Sequence, residues 1–291
     1  MKIDPDKYLV KTPVDLSTIP THEDFGVSDL KLEKELKKVR VKLGDFQNTL
    51  YAHGKYGVLV CIQGMDTAGK DSLIREIFKD FNARGIVVHS FKSPSALELR
   101  HDFLWRHYIA LPEKGKFSVF NRTHYENVLI SRVHPEFVLG EKIPGIHSVD
   151  DIDTKFWQKR FKQINNFENH IYSTGTIVFK FFLHISKDEQ KDRLIRRLEL
   201  KRKNWKFSPD DLKERELWDE YQSCYEDAIN NTSAKNTPWH IIPSDNKDAA
   251  RLIVTSIMHK KLKEYKDIKE PTLDPEIQKN IDTFIDQLKS E

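Results

Sequence analysis

The 291-residue chain carries 48 Lys and Arg against 45 Asp and Glu, a formal net charge of +3. That balance is too near neutral for a protein that coats bulk nucleic acid or a membrane surface. Hydrophobic residues at 38% and aromatics at 11% exclude a disordered chain and leave ample material for one large α/β domain.

Residues 1–27, with Pro5, Pro13 and Pro20, read as an extended arm. Leu32, Leu36, Val39, Leu43, Phe46 and Leu50 then recur at spacings of 4, 3, 4, 3 and 4, which places them on one helix stripe. Fewer than three heptads favours packing on the same domain over a coiled coil. Five short β-branched or aromatic runs follow: Tyr56–Gln63, Ile86–Phe91, Phe117–Phe120, Thr176–Ile185 and Trp239–Ile242. Helical patterns fill the gaps at Lys70–Asn82, Ala96–Leu111, Asp150–Tyr172, Glu189–Asn204, Pro209–Asn230 and Lys247–Tyr265. Near-continuous apolar strands alternating with helices imply an α/β protein with a five-stranded parallel sheet covered on both faces, a three-layer α/β/α sandwich. We divide it into an N-terminal arm and helix (1–54), a phosphate-loop domain (55–268) with a helical lid at about 187–215, and a C-terminal helical extension (269–291). Two cysteines, Cys61 and Cys224, cannot build a disulfide framework, and MKIDPDKYLV is no secretory signal. The expected location is cytoplasmic, with no membrane partner.

The first strand runs into Gly64-Met65-Asp66-Thr67-Ala68-Gly69-Lys70-Asp71-Ser72. This is G-x-x-x-x-G-K between a strand and a helix, the context in which backbone N–H groups and a lysine cradle phosphates. Asp71 stands where a Mg²⁺-binding Ser or Thr is usual. Asp66 lies inside the loop, where a carboxylate is tolerable if a divalent cation separates it from the phosphates. The third strand ends in Asn121-Arg122, at the carboxyl end of the sheet where ligands of open α/β folds collect. Asn121 is a weak candidate for the metal, Glu126 a candidate for metal or base, and Arg122 and Arg132 suit phosphate.

From Lys191 to Lys206 eight basic residues face two acidic ones. This +6 segment sits on a helix–loop–helix excursion between the fourth and fifth strands. Arg193, Arg197 and Lys201 share a helix face there and are expected to bind a polyanion, the alternative being a solvated helix face.

GMDTAGKDSLI, SFKSPSALELRHDFLWRHY, FNRTHYENVLISRVHP, KFFLHISKDEQKDRL, NWKFSPDDLKERELWDEYQSCYEDAI and TPWHIIPSDNKDAAR resemble the family-2 polyphosphate kinases over nearly the whole chain. The resemblance implies a P-loop kinase-like enzyme, a phosphotransferase moving a phosphoryl group between inorganic polyphosphate and AMP or ADP. Transfer would be direct and in line, assisted by Mg²⁺ or Mn²⁺. It implies Asp66, Lys70 and Arg122 as catalytic residues, to which our reading of the motif adds Glu126, with Arg132, Arg197, Lys201 and Lys206 along the polyphosphate. FNRTHYE is similar to the subgroup that accepts both AMP and ADP, with Asn121 where the family often has Asp. Phe91, Lys92, Ser93, Pro94 and Trp105 are the candidate nucleotide-binding residues, for adenine and secondarily guanine nucleotides, and a homo-oligomer is expected. Two other readings stand beside this one: an ATP-dependent nucleotide or small-molecule kinase, and a non-catalytic polyanion- or RNA-binding protein that keeps the loop.

Overall fold

A computed structural model of the chain describes residue 1 and residues 3–291, the side chains of Lys203 and Lys206 excepted. Strands β1 (Gly57–Gly64), β2 (Ile86–Ser90), β3 (Phe117–Asn121), β4 (Thr176–His184) and β5 (Trp239–Pro243) form one sheet in the order β2-β3-β1-β4-β5. Every pairing is parallel. The helices ahead of β4 are α1 (Asp29–His53), α2 (Lys70–Ile77), α3 (Trp105–Tyr108), α4 (Ile130–Val133), α5 (Glu136–Leu139) and α6 (Thr154–Ser173). After it come α7 (Lys187–Glu199), α8 (Asp210–Glu216), α9 (Trp218–Thr232), α10 (Lys247–Leu262), α11 (Pro275–Lys279) and α12 (Ile281–Lys289). Among the described residues no helix is long and apolar enough to cross a membrane.

Both faces of the sheet are covered, as the apolar strands require. Leu59, Cys61, Phe120 and Val178 pack with Phe167 and Ile171 of α6. The alternate residues Val58, Val60, Val119 and Phe179 pack with Leu73 and Ile77 of α2 and Ile253 and Ile257 of α10. Helix α1 buries its predicted stripe on the same domain, with Leu32 and Leu36 against Ala249 and Leu252 of α10.

All five predicted strands are present, but the helices are shorter than their patterns. The segment expected as one helix over Ala96–Leu111 is a single 3₁₀ turn, Glu98–Arg100, followed by the four-residue α3. His101 is extended there, and Asp102 Oδ1 accepts the N–H of Leu104 at 2.9 Å, so a side chain replaces the helical hydrogen bond. Asp153 starts α6 late by accepting from Phe156 N. The pattern from Pro209 to Asn230 divides at Leu217 into α8 and α9.

The predicted extended arm is a structural part of the sheet edge. Val10 N donates to Trp239 O and Ile241 N to Tyr8 O, each at 2.9 Å, so the arm runs antiparallel beside β5 and satisfies backbone groups that an edge strand would expose. Tyr8, Val10 and Leu16 are buried.

Beneath β3 lies an ionic cluster with no exposure. Lys180 Nζ, on β4, donates to Glu168 Oε2 at 2.6 Å, to Tyr125 Oη at 2.9 Å and to Thr232 O at 2.7 Å. Glu168 also accepts from Tyr125 Oη at 2.6 Å and pairs with His124 Nε2 at 3.1 Å. Burial alone would keep its carboxyl neutral, but Lys180 and His124 outweigh that and hold it ionised, down to about 2. The cluster ties the turn after β3 to β4 and α6. Lys180→Met would strand a buried carboxylate and is expected to lower the unfolding free energy by about 3–5 kcal/mol, most of it recovered in Lys180→Met with Glu168→Leu. Denaturant titrations of both variants check this; a loss in the double variant as large as in the single would contradict it.

Candidate active site

The site is built where β1 and β3 end side by side. Gly64 closes β1, and a Cβ there would stand 2.9 Å from the Leu183 carbonyl oxygen, so the close approach of loop and β4 needs glycine. Gly69, at φ +107, admits the chain into α2. Thr67 takes φ +63, a left-handed conformation unusual for a β-branched residue. Met65 and Ala68, within the loop, turn their side chains into the core. Ser72 Oγ donates to Gly69 O at 2.9 Å, and Lys70 Nζ donates to Gly64 O at 2.6 Å and Met65 O at 3.2 Å.

Arg122 stands at φ +59 directly after β3. Its Nη2 donates to Asp66 Oδ1 at 2.7 Å and its Nη1 lies 3.6 Å from Glu126 Oε2. One guanidinium therefore joins the two expected carboxylates. Burial works against ionising Asp66, but Arg122, Lys70 and Arg197 together hold its carboxyl below the usual range. Glu126 raises the pKa of Arg122, so that group stays charged. Burial is the main cause that pushes Lys70 down to about 8; Arg122 adds to it, against the pull of Asp66, Glu126 and Asp71. Asn121 Nδ2 donates to Asp71 Oδ1 at 2.8 Å, which turns the Asn121 amide nitrogen to the start of α2. Its Oδ1 has no protein partner among the described residues.

A cavity of about 970 Å³ opens beside this group. Arg122 and Glu126 form part of its wall, and so do Phe91, Lys92, Ser93 and Pro94. Four of the five residues expected to bind nucleotide therefore meet at one cavity, and Arg122 in its wall links it to Asp66 of the phosphate loop. Trp105 does not join them; its ring stacks on His101, with centroids 4.0 Å apart.

The basic residues part company. Arg197 pairs with Asp211 at 2.8 Å, and its charge is felt by Asp66. Lys201 is exposed in a 3₁₀ segment, Lys201–Lys206. Lys206, expected on the same track, lies outside the described side chains. Arg132 turns to Asp227 and to the rings of Trp157 and Phe161, away from the cavity wall, because aromatic faces and a carboxylate on α6 and α9 compete for its charge. Arg193 is buried and faces the back of the loop instead of a substrate track; its Nη donors go to backbone carbonyls and its Nε to Glu189.

Three residues of the site carried no sequence signal strong enough to single them out. Arg106 is buried in the cavity wall, donates to Lys92 O at 2.7 Å and lies over the Phe91 ring. Gln190 Nε2 donates to Asp66 O at 3.2 Å. Tyr225 is buried beside Glu126 and Arg122, and burial raises its pKa. The spacing of α9 in the quoted motif could have flagged Tyr225, but nothing in its type separates it from a core aromatic.

Comparison with known proteins identifies the family. The family model described as Polyphosphate kinase 2 (PPK2) matches residues 26–270. An ADP-polyphosphate phosphotransferase of Rhodopseudomonas palustris is 45% identical over 246 residues, 84% of either chain. An AMP/ADP-polyphosphate phosphotransferase of Meiothermus ruber is 42% identical over 217 residues, 75% of this chain and 76% of its own. The crystal structure of polyphosphate kinase 2 from Arthrobacter aurescens TC1 superposes with a TM-score of 0.88 at 31% identity, over 98% of this chain and 97% of that one. With the phosphate loop, the sheet order and these relatives in agreement, the chain belongs to the polyphosphate kinase 2 family.

Proposed function

We propose that the protein is a polyphosphate-dependent nucleotide phosphotransferase that moves the terminal phosphoryl group of inorganic polyphosphate to AMP or ADP, forming ADP or ATP. The observation that carries this reading is Arg122, which lines the large cavity while it is ion-paired to Asp66 of the phosphate loop. A single fork of donors thus spans a place for the nucleotide and a place for the donor phosphates. A volume of about 970 Å³ suits a nucleotide, and Lys92 and Arg106 bring positive charge to its wall.

The acceptor phosphate oxygen is already ionised at neutral pH, so the reaction needs no strong base. That oxygen forms a bond to the terminal phosphorus of polyphosphate, and the bond from that phosphorus to the next bridging oxygen breaks, its electrons leaving with the shortened chain. Positioning and charge stabilisation carry the rate. Lys70 and Arg122 meet the charge on the transferred group, and Arg197 extends the cationic path along α7.

Among the described residues no cluster of three or more His, Cys, Asp or Glu side chains stands ready to hold a metal. The ionised Asp66 and the nearby Glu126 fit Mg²⁺ or Mn²⁺ only if phosphate oxygens complete the shell, the usual arrangement for Mg²⁺. Bound there, the ion neutralises charge on the phosphates.

AMP and ADP, then GMP and GDP, are each incubated with long-chain polyphosphate and Mg²⁺, and the products are separated by chromatography. Polyphosphate-dependent formation of ADP or ATP is expected. Transfer from ATP alone would replace this reading with that of an ordinary kinase, and an anion-binding chain without product would remove the enzyme altogether. Asp66→Asn is expected to lower kcat by at least 100-fold, the scale of a lost preorganised charge, without lowering the melting temperature. Lys70 sets a pH limit with a definite sign. Its pKa lies below that of an ordinary lysine, so the ammonium is lost as pH rises through about 8. The ratio kcat/KM, which reports the free enzyme, is expected to fall above that pH. A profile flat to pH 10 would contradict it.

A further inference from the structure

All five N–H donors of Arg193 are engaged by the protein. Nε donates to Glu189 Oε1 at 2.6 Å. Nη1 donates to the carbonyls of Thr67 at 3.0 Å and Ala68 at 2.9 Å. Nη2 donates to those of Ser244 at 2.5 Å and Asp245 at 2.9 Å. One turn earlier on α7, Gln190 Nε2 reaches the carbonyl of Asp66 at 3.2 Å. Helix α7 therefore meets three successive carbonyls of the phosphate loop, residues 66, 67 and 68.

The consequence follows from the planarity of the peptide. C=O and N–H of one unit point in opposite directions. Holding these carbonyls toward α7 turns the N–H groups of Thr67 and Gly69 to the opposite, phosphate-facing side, while that of Ala68 closes a turn on Met65 O at 3.1 Å. The loop does not adopt this curl without cost: Thr67 stands at φ +63, and such strain persists only where its surroundings over-determine it. Arg193 supplies the charged donors that do so, and anchors them to the turn after β5.

We propose that Arg193, supported by Gln190, is a positioning residue for phosphoryl transfer: it holds the phosphate loop in its anion-receiving curl and makes no contact with polyphosphate. Its neighbour Arg197, one turn along the same helix, keeps the substrate-facing role. The fork geometry matters, because four carbonyls on two segments cannot be spanned by the single ammonium of a lysine.

The test rests on the phosphotransferase reading for its assay, and a wild-type protein without polyphosphate-dependent transfer would sink that reading rather than this one. In an active enzyme, Arg193→Ala is expected to lower kcat by about 100-fold, the scale of a small displacement of reacting groups, while KM for polyphosphate changes by less than about threefold, since no phosphate contact is lost. Arg193→Lys stays close to the Ala variant. Guanidinium chloride at millimolar concentration restores activity to Arg193→Ala and not to Arg197→Ala. A raised KM for polyphosphate at unchanged kcat, or full activity in Arg193→Lys, would overturn the proposal by making Arg193 a substrate contact. If Arg193→Ala does not fold, as judged by its melting curve, Gln190→Leu takes its place. A several-fold drop in kcat at constant KM supports the latch, and an unchanged kcat overturns it.

Discussion

A site for a polyanion must gather cations, and cations so gathered repel one another. The structure answers this constraint by giving the principal cations of the site acidic neighbours. Arg122 lies between Asp66 and Glu126, Arg197 rests on Asp211, and Lys70, held by two carbonyls at a reduced pKa, feels the carboxylates of Asp66, Glu126 and Asp71. The near-neutral total of the chain is thus reproduced at the scale of a few side chains. These carboxylates hold the cations in place before anything binds; under the proposed function, incoming phosphates would exchange one partner for another, which asks for less reorganisation than assembling charges from water.

The same order depends on deeper layers. Arg122 occupies a left-handed conformation at the end of β3, and the next residues pass straight into the core. Thr123 Oγ1 accepts from Tyr125 N and Gln63 Nε2, while His124 and Tyr125 hang on Glu168 and Lys180. Buried ion clusters are seldom net contributors to stability. This one fixes the direction of a strained turn, which a greasy cluster of equal volume would specify less sharply. On the other side of the sheet's end, α7 does the corresponding work for the phosphate loop.

The sheet was legible because β1, β3, β4 and β5 bury both faces and so read as short apolar runs; β2, at the edge and without a buried residue, kept an Ile-Val-Val signature. The loop glycines were legible because backbone geometry admits few alternatives there. What the sequence hid was direction. Arg193 and Arg197 have the same type, the same helix and the same face, yet one turns to backbone carbonyls and the other pairs with the Asp211 carboxylate. Arg132 looked like a phosphate ligand until Trp157, Phe161 and Asp227, all distant in sequence, claimed it. The stretch from Ala96 to Leu111 has helical spacing, but several of its residues line a cavity, and a concave wall asks for loops that periodicity does not foresee.

The arm beside β5 has a consequence for how the chain comes together. Val14 exchanges two hydrogen bonds with the side chain of Asn230, and Leu16 N donates to Glu226. These contacts close loops of 216 and 210 residues, among the most non-local in the molecule. At a synthesis rate of roughly 5–20 residues per second, the arm waits on the order of ten to forty seconds for its partners to emerge. During that interval the arm's hydrogen-bond partners on β5 and α9 have yet to be made. Sealing this edge is therefore a late event of folding, with an entropic barrier set by loop closure, and the nascent chain depends on its charged, proline-punctuated arm to stay out of wrong pairings until then.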